Sequence, residues 1–284
     1  MDCKQKRMGL VGCFGQIENI KRQSLYNYIM ENVVRIDSAK IDDIWEKYVK
    51  NPKELNPRDN IVDRGYHIEE ELPKDGILFL GMNPSYPGDE SYINKDKGTY
   101  GATYKLRDIK DVSLGLQESE KINKKYWKPI VDAAVRITQE NIGLHHKFER
   151  CLQEVEFCHH DLFFVRETSQ NKVLALKAKC GDFFTKQWEY SKGIIEKASP
   201  KIIIVINGGA GNLIREELGT DFFGFIPGAS WNEECGVDIV KIGEREVPII
   251  FTGMLSSTGR INKGTETTLF WNIRHIARQL KITF

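Results

Sequence analysis

The chain has 284 residues, 40% hydrophobic and 29% charged, enough for one large domain or one domain with a substantial extension. Its 41 basic and 40 acidic side chains leave a net charge of +1, so no overall field draws it to a polyanion. Any contact with nucleic acid has to come from a local cluster of cations.

No apolar stretch approaches the ~20 residues that span a bilayer. The basic N-terminus lacks a signal-peptide core, which predicts a cytoplasmic protein with no membrane contact. Six cysteines, at positions 3, 13, 151, 158, 180 and 235, form no C-x-x-C and are irregularly spaced. Free thiols are expected, with neither a disulfide framework nor a zinc site.

In chain order, residues 24–50 carry apolar residues at helical spacing, which predicts two helices broken near Asp37-Ser38. The Pro- and Asn-rich stretch 51–60 is a loop. Residues 1–72 are read as a helical lead-in packed on a main domain at 73–284. Ile77 to Leu80 is the first strand, followed by a helix over 126–141 and a second apolar strand region at 155–165. A helix at 182–198, a strand at 201–206 and a short helix over "GNLIREEL" come next. Residues 237–253 read as a hairpin turning at Gly243-Glu244, with Pro248 to Thr252 entering the core. An amphipathic helix at 265–280 closes the chain. Alternating strands and helices predict an α/β fold, a three-layer α/β/α sandwich around a mostly parallel sheet. Four loops then meet at the carboxyl ends of the strands, where such sheets bind ligands: 81–92, 159–170, 207–212 and 253–264.

"VINGGAGNLI" invites a dinucleotide-binding reading, but Ile214 stands where a third Gly is required, and a tight strand-to-helix turn fits better. "CHHD" at 158–161 cannot grip one metal ion, because neighbours on a strand point to opposite faces. Either His160 or Asp161 turns into a pocket at the strand end, or both are structural. "STGRINKG" at 257–264 gathers Arg260 and Lys263 before a helix start, a local phosphate site or a solvated loop.

Together these loops resemble the uracil-DNA glycosylase superfamily, most closely its single-strand-selective monofunctional branch. "LFLGMNPSYPGD" resembles that branch's first motif, GMNPG in a strand-to-loop setting, and "GTYGATYKLRD" is similar to its aromatic-Gly segment. "FCHHDLFFV" resembles the strand carrying the base-reading Asn, and "SSTGRINKGTE" the segment before the last helix. The resemblance covers roughly residues 72–280.

It implies a four-stranded parallel sheet with an N-terminal helical extension, and a monomer acting on DNA, single-stranded DNA included, without metal or cofactor. Such an enzyme flips a base from the stack and breaks its bond to deoxyribose. Asn83 would hold the hydrolytic water and Tyr100 would stack on the base. Gly81, Met82, Pro84 and Ser85 would line the substrate, and His160, or Asp161 if the register shifts by one, would read the base. Met254 or Leu255 would fill the vacated stack, as apolar wedges do. Ser256, Ser257, Arg260 and Lys263 would hold the backbone.

The second motif departs from the family. The family's HPSP is "GMLS" here, with Gly253 opposite the His that stabilises the leaving base, and Ser85 replaces the second Gly of the first motif. Loss of one such donor typically costs ~10²- to 10³-fold in rate. Two other readings therefore stand beside the glycosylase: a silent nucleic-acid-binding member of the fold, and an enzyme acting on a free nucleoside-like substrate.

Overall fold

The computed structural model describes residues 32–49, 64–85, 97–115, 118, 123–138, 156–255 and 260–284. Val34–Phe284 form one compact unit. The first half holds β1 (Val33–Arg35), α1 (Ser38–Val49), β2 (Tyr66–Glu69), β3 (Glu71–Pro73), β4 (Ile77–Gly81), β5 (Gly101–Tyr104), α2 (Leu106–Leu114) and α3 (Lys124–Thr138). After it come β6 (Phe157–Asp161), α4 (Gln170–Lys179), α5 (Gly181–Ala198), β7 (Ile202–Val205) and α6 (Gly208–Leu213). The chain finishes with β8 (Trp231–Asn232), β9 (Val237–Ile242), β10 (Arg245–Phe251) and α7 (Lys263–Gln279).

The central sheet has six strands in the order β6-β4-β7-β10-β9-β8. The first four run parallel, and β9 and β8 add to the far edge antiparallel. The four-stranded expectation is corrected here: the hairpin's first arm, β9, is itself a sheet strand and recruits β8. Its two-residue turn places Gly243 at φ +60°, the left-handed conformation that a tight hairpin needs at its first position.

The sequence "ILFLG" of β4 and "IIIV" of β7 are buried throughout, as strands covered on both faces must be. Alternation divides their side chains between two cores. Ile77, Phe79, Phe157, Ile202 and Ile204 pack with α2, α3 and α7. Leu78, Leu80, Cys158, Ile203 and Val205 pack with α1, α4 and α5 on the other face.

The region before β4 departs from a purely helical lead-in. Helix α1 starts at Ser38 as read, but residues 33–35, 66–69 and 71–73 are strands. Two-stranded sheets pair β1 with β3 and β2 with β5. The β2–β5 pairing is parallel, with Tyr66 opposite Gly101. A Cβ at Gly101 would lie 2.4 Å from the Tyr66 ring, so only glycine permits the approach. The helix read within 24–31 and the loop at 51–60 fall outside the described residues. Helix α4 was not expected: it buries only Val173 and Leu176, too few to mark a period. Among the described residues no helix is long and apolar enough to cross a membrane. Cys158 and Cys180 are buried and Cys235 is half-buried.

Helix α5 holds the chain leaving β6. Gln187, wholly buried, accepts through Oε1 from the backbone N–H of Phe164 at 2.9 Å and of Val165 at 3.0 Å. Ser191 donates to the carbonyl of Asp161 at 3.0 Å. Replacing Gln187 by Leu would orphan two buried donors, each costing about 1–3 kcal/mol. Gln187→Leu should therefore lower unfolding free energy by roughly 2–6 kcal/mol, measurable by urea denaturation.

Candidate functional site

Strands β4 and β6 end together, Gly81 opposite Asp161, and the loops they release are joined by four hydrogen bonds. Phe163 donates its N–H to the carbonyl of Met82 at 2.9 Å, and Glu167 to that of Pro84 at 3.0 Å. Arg166 Nε donates to the carbonyl of Ser85 at 3.1 Å. Asn83 Nδ2 donates to the carbonyls of Glu167 at 2.8 Å and Pro84 at 2.9 Å. Two carbonyl partners can only accept, so they fix which end of the Asn83 amide is nitrogen. Its Oδ1 is left with no partner among the described residues. Arg64 pairs with the Glu167 carboxylate, whose other oxygen accepts from Thr168.

Alternation along β6 sends His159 and Asp161 to one face and His160 to the other. The carboxyl of Asp161 lies directly over the backbone of Gly81. A Cβ at 81 would meet Asp161 Oδ1 at 2.1 Å and His159 Nε2 at 3.2 Å. Tyr126 from α3 hydrogen-bonds His159 Nε2 at 3.0 Å, and the Trp127 ring stands edge-on to the imidazole with centroids 5.0 Å apart. Glu69, at the end of β2, accepts the backbone N–H of His159 through Oε1 at 3.0 Å, while its Oε2 has no hydrogen-bond partner. Tyr104, at the end of β5, completes the group and packs against Trp127.

Burial governs the charges in this cluster. Desolvation drives the His159 imidazole down to about 3, so it is neutral. It raises the Asp161 carboxyl to about 8, with no cation to oppose it, and holds Glu69 well above the usual carboxylate range. The buried Tyr104 and Tyr126 hydroxyls are likewise held protonated, by burial first and by the neighbouring carboxyls second. The group is thus a nearly uncharged, buried polar cluster: two neutral acids, two phenols and a neutral imidazole.

The other residues singled out in the sequence are dispersed. His160 is 2% exposed beside Phe164 in the opposite core, with neither ring nitrogen hydrogen-bonded. The strand's phase places Asp161, and not His160, on the face beside Gly81. Tyr100 is 4% exposed in the same core as Tyr66 and Trp45, and its N–H donates to Asp42 at 2.9 Å. Its ring offers no open face for stacking. Met82 is buried too, its Sδ close to Gly209, while Pro84 is half-buried and Ser85 exposed. Leu255 is 1% exposed in the core beside α7, so it cannot serve as a wedge, whereas Met254 is half-buried. Arg260 is occupied by the buried carboxylate of Glu266, at 3.1 and 3.2 Å. Lys263 is exposed at the start of α7. Ser256 and Ser257 lie outside the described residues. The turn "NGGAG" is the expected strand-to-helix turn, with Asn207 capping α6 by accepting from Ala210 N–H at 3.0 Å.

Sequence reasoning missed Glu69, Tyr104, Tyr126 and His159. The alternation within "FCHHD" was the one available signal, since it pairs His159 with Asp161. Among the described residues no group of three His, Cys, Asp or Glu is placed to hold a metal ion. No family model and no curated protein matches the chain.

Asp161 makes stability depend on pH. The unfolded carboxyl ionises near 3.8 while the folded one keeps its proton to about 8, so its contribution to stability is lost as pH rises between these values. Asp161→Asn cannot ionise. Its stability relative to wild type should therefore increase by on the order of 3 kcal/mol between pH 5 and pH 8, measured by urea unfolding at both.

Proposed function

We propose that this chain is a DNA glycosylase-like protein. It receives a flipped base at the carboxyl ends of β4 and β6 and hydrolyses the N-glycosidic bond, in the cytoplasm and without a cofactor. The observation that carries the reading is the Asn83 amide. Both of its N–H bonds are committed to backbone carbonyls, and Oδ1 has no partner among the described residues. The parallel strand order β6-β4-β7-β10, with helices on both faces, supports a uracil-DNA glycosylase-like sandwich extended by β9 and β8.

In this reading the C1′–N bond breaks and its electron pair leaves on the base. A water held by Asn83 Oδ1 adds its oxygen to C1′, and its proton passes to solvent. An amide is too weak a base to do more than orient that water, and orientation is what a rigidly tethered amide supplies. Asp161 over Gly81 lines the base side. Tyr100 and His160, both buried, take no direct part.

A second reading, hydrolysis of a free nucleoside-like substrate, is favoured by one observation. Arg260 is engaged by Glu266, and the net charge is only +1, so neither that side chain nor an overall field favours a phosphate backbone. The discriminating assay offers uracil, hypoxanthine or xanthine in single- and double-stranded oligonucleotides, beside the corresponding free nucleosides. Abasic product from the oligonucleotides supports the first reading. Base release from nucleosides alone supports the second, and no release at enzyme excess overturns both. Asn83→Ala should reduce single-turnover base release by at least about 100-fold.

A further inference from the structure

Helix α7 carries the most exposed large apolar side chain among the described residues. Trp271 keeps 56% of its surface in solvent, although the opposite side of the same helix is buried through Phe270, Ile273 and Ile276. His275 stands one turn further on, and its ring stacks on the indole with centroids 5.3 Å apart and planes within 5° of parallel. An indole held in this way loses little freedom when a planar ligand lies on it.

The charges around the pair are of one sign. Arg274 and Arg278 follow Trp271 at spacings of three and seven residues, which place side chains on one side of a helix. Arg274 Nη1 donates to the carbonyl of Arg136 at 2.9 Å, which brings the last turn of α3, with the exposed Arg136, beside α7. Asp132, one turn earlier on α3, has both carboxylate oxygens on Lys128 Nζ, at 2.8 and 2.9 Å. From 263 to 284 the chain holds four Lys and Arg against one acid, Glu266, and that carboxylate is buried and held by Arg260. The even balance of the whole chain hides a local cationic strip.

A stacked, exposed aromatic pair beside guanidinium groups answers both parts of a single-stranded nucleic acid. Every base has a π-face that stacks on an aromatic ring, and the phosphates between bases meet the cations. An apolar protein surface would use the indole and leave the cations unanswered. Insertion into a bilayer needs a larger apolar face than one indole among the exposed Thr267, Thr268 and Asn272.

We propose that the outer face of α7 is a platform for single-stranded nucleic acid, on which a base stacks against Trp271 while Arg136, Arg274 and Arg278 hold neighbouring phosphates. The platform uses none of the side chains placed at the carboxyl ends of β4 and β6. It is therefore independent of base release, and a protein without glycosidic chemistry would bind there equally well.

The test measures fluorescence anisotropy of a labelled twelve-nucleotide oligothymidylate with the full-length protein, beside an abasic oligomer of the same length and charge. Trp271→Ala should weaken oligothymidylate binding roughly 5- to 150-fold, the range for one stacked base, and Trp271→Phe should retain most of the affinity. Wild type should bind the abasic oligomer as weakly as Trp271→Ala binds oligothymidylate. With three phosphate contacts, log affinity should fall against log salt with a slope of about −2. The double variant Arg274→Gln/Arg278→Gln should have a slope shallower by about 1.4. Circular dichroism checks that each variant keeps the wild-type fold.

Oligothymidylate affinity unchanged in Trp271→Ala, or equal wild-type affinity for the two oligomers, overturns the inference. So does the absence of oligonucleotide binding at low salt, whether or not the protein binds phosphatidylserine vesicles. The excision assay run in parallel separates the two proposals. Oligonucleotide binding with the expected variant pattern but without abasic product supports this inference against the glycosylase reading. Abasic product with an affinity insensitive to Trp271 supports the reverse.

Discussion

Gly81 and Asp161 face each other across the last rung of the β4–β6 ladder, and the missing side chain at 81 lets a carboxyl lie over the backbone there. The rest of the site depends on that contact. It turns His159 to the same side as Asp161, two residues apart on one strand, and His160 to the other. It also buries an acid that keeps its proton, among neighbours whose own burial holds them uncharged. The surrounding phenols and Glu69 are then compatible neighbours, because all of them stay uncharged together.

Rigidity beyond the strand ends has a different source. Loops rarely hold an amide in one orientation, yet here two backbones are fastened to each other from 82 to 85 and from 163 to 167, with Asn83 as one of the fasteners. Helix α5 secures the second loop from behind through Gln187 and Ser191. A side chain that braces the loops through both of its N–H bonds is already fixed in orientation.

What could be read from the sequence divides along physical lines. Strands β4, β6, β7 and β10 and helices α3, α5 and α7 were legible because long apolar runs and 3.6-residue periods survive any tertiary context. The short strands β1, β2, β3 and β5 were not, since three- or four-residue segments such as Tyr66–Glu69 take their form from partners far along the chain. The loop around Asn83 was legible as the chain leaving the carboxyl end of a strand. The choice between His160 and Asp161 was open, because a strand's alternation is visible in sequence but its phase against the sheet is not. Glu69, Tyr104 and Tyr126 carried no local signal, arriving at His159 and Asp161 from three separate elements. Tyr100 and Leu255 read as ligand-facing and prove to be core, the ordinary fate of large apolar side chains.

Glu69 has one more consequence. Strand β6 is the last strand on its side of the sheet, and its outward N–H at His159 is taken by a side-chain carboxyl instead of another backbone. At the far side the sheet ends in β8, only two residues long. Both margins therefore carry the features by which sheet edges are blunted, a short edge strand on one side and a capped N–H on the other. The carboxyl that belongs to the uncharged cluster is also the cap on that edge.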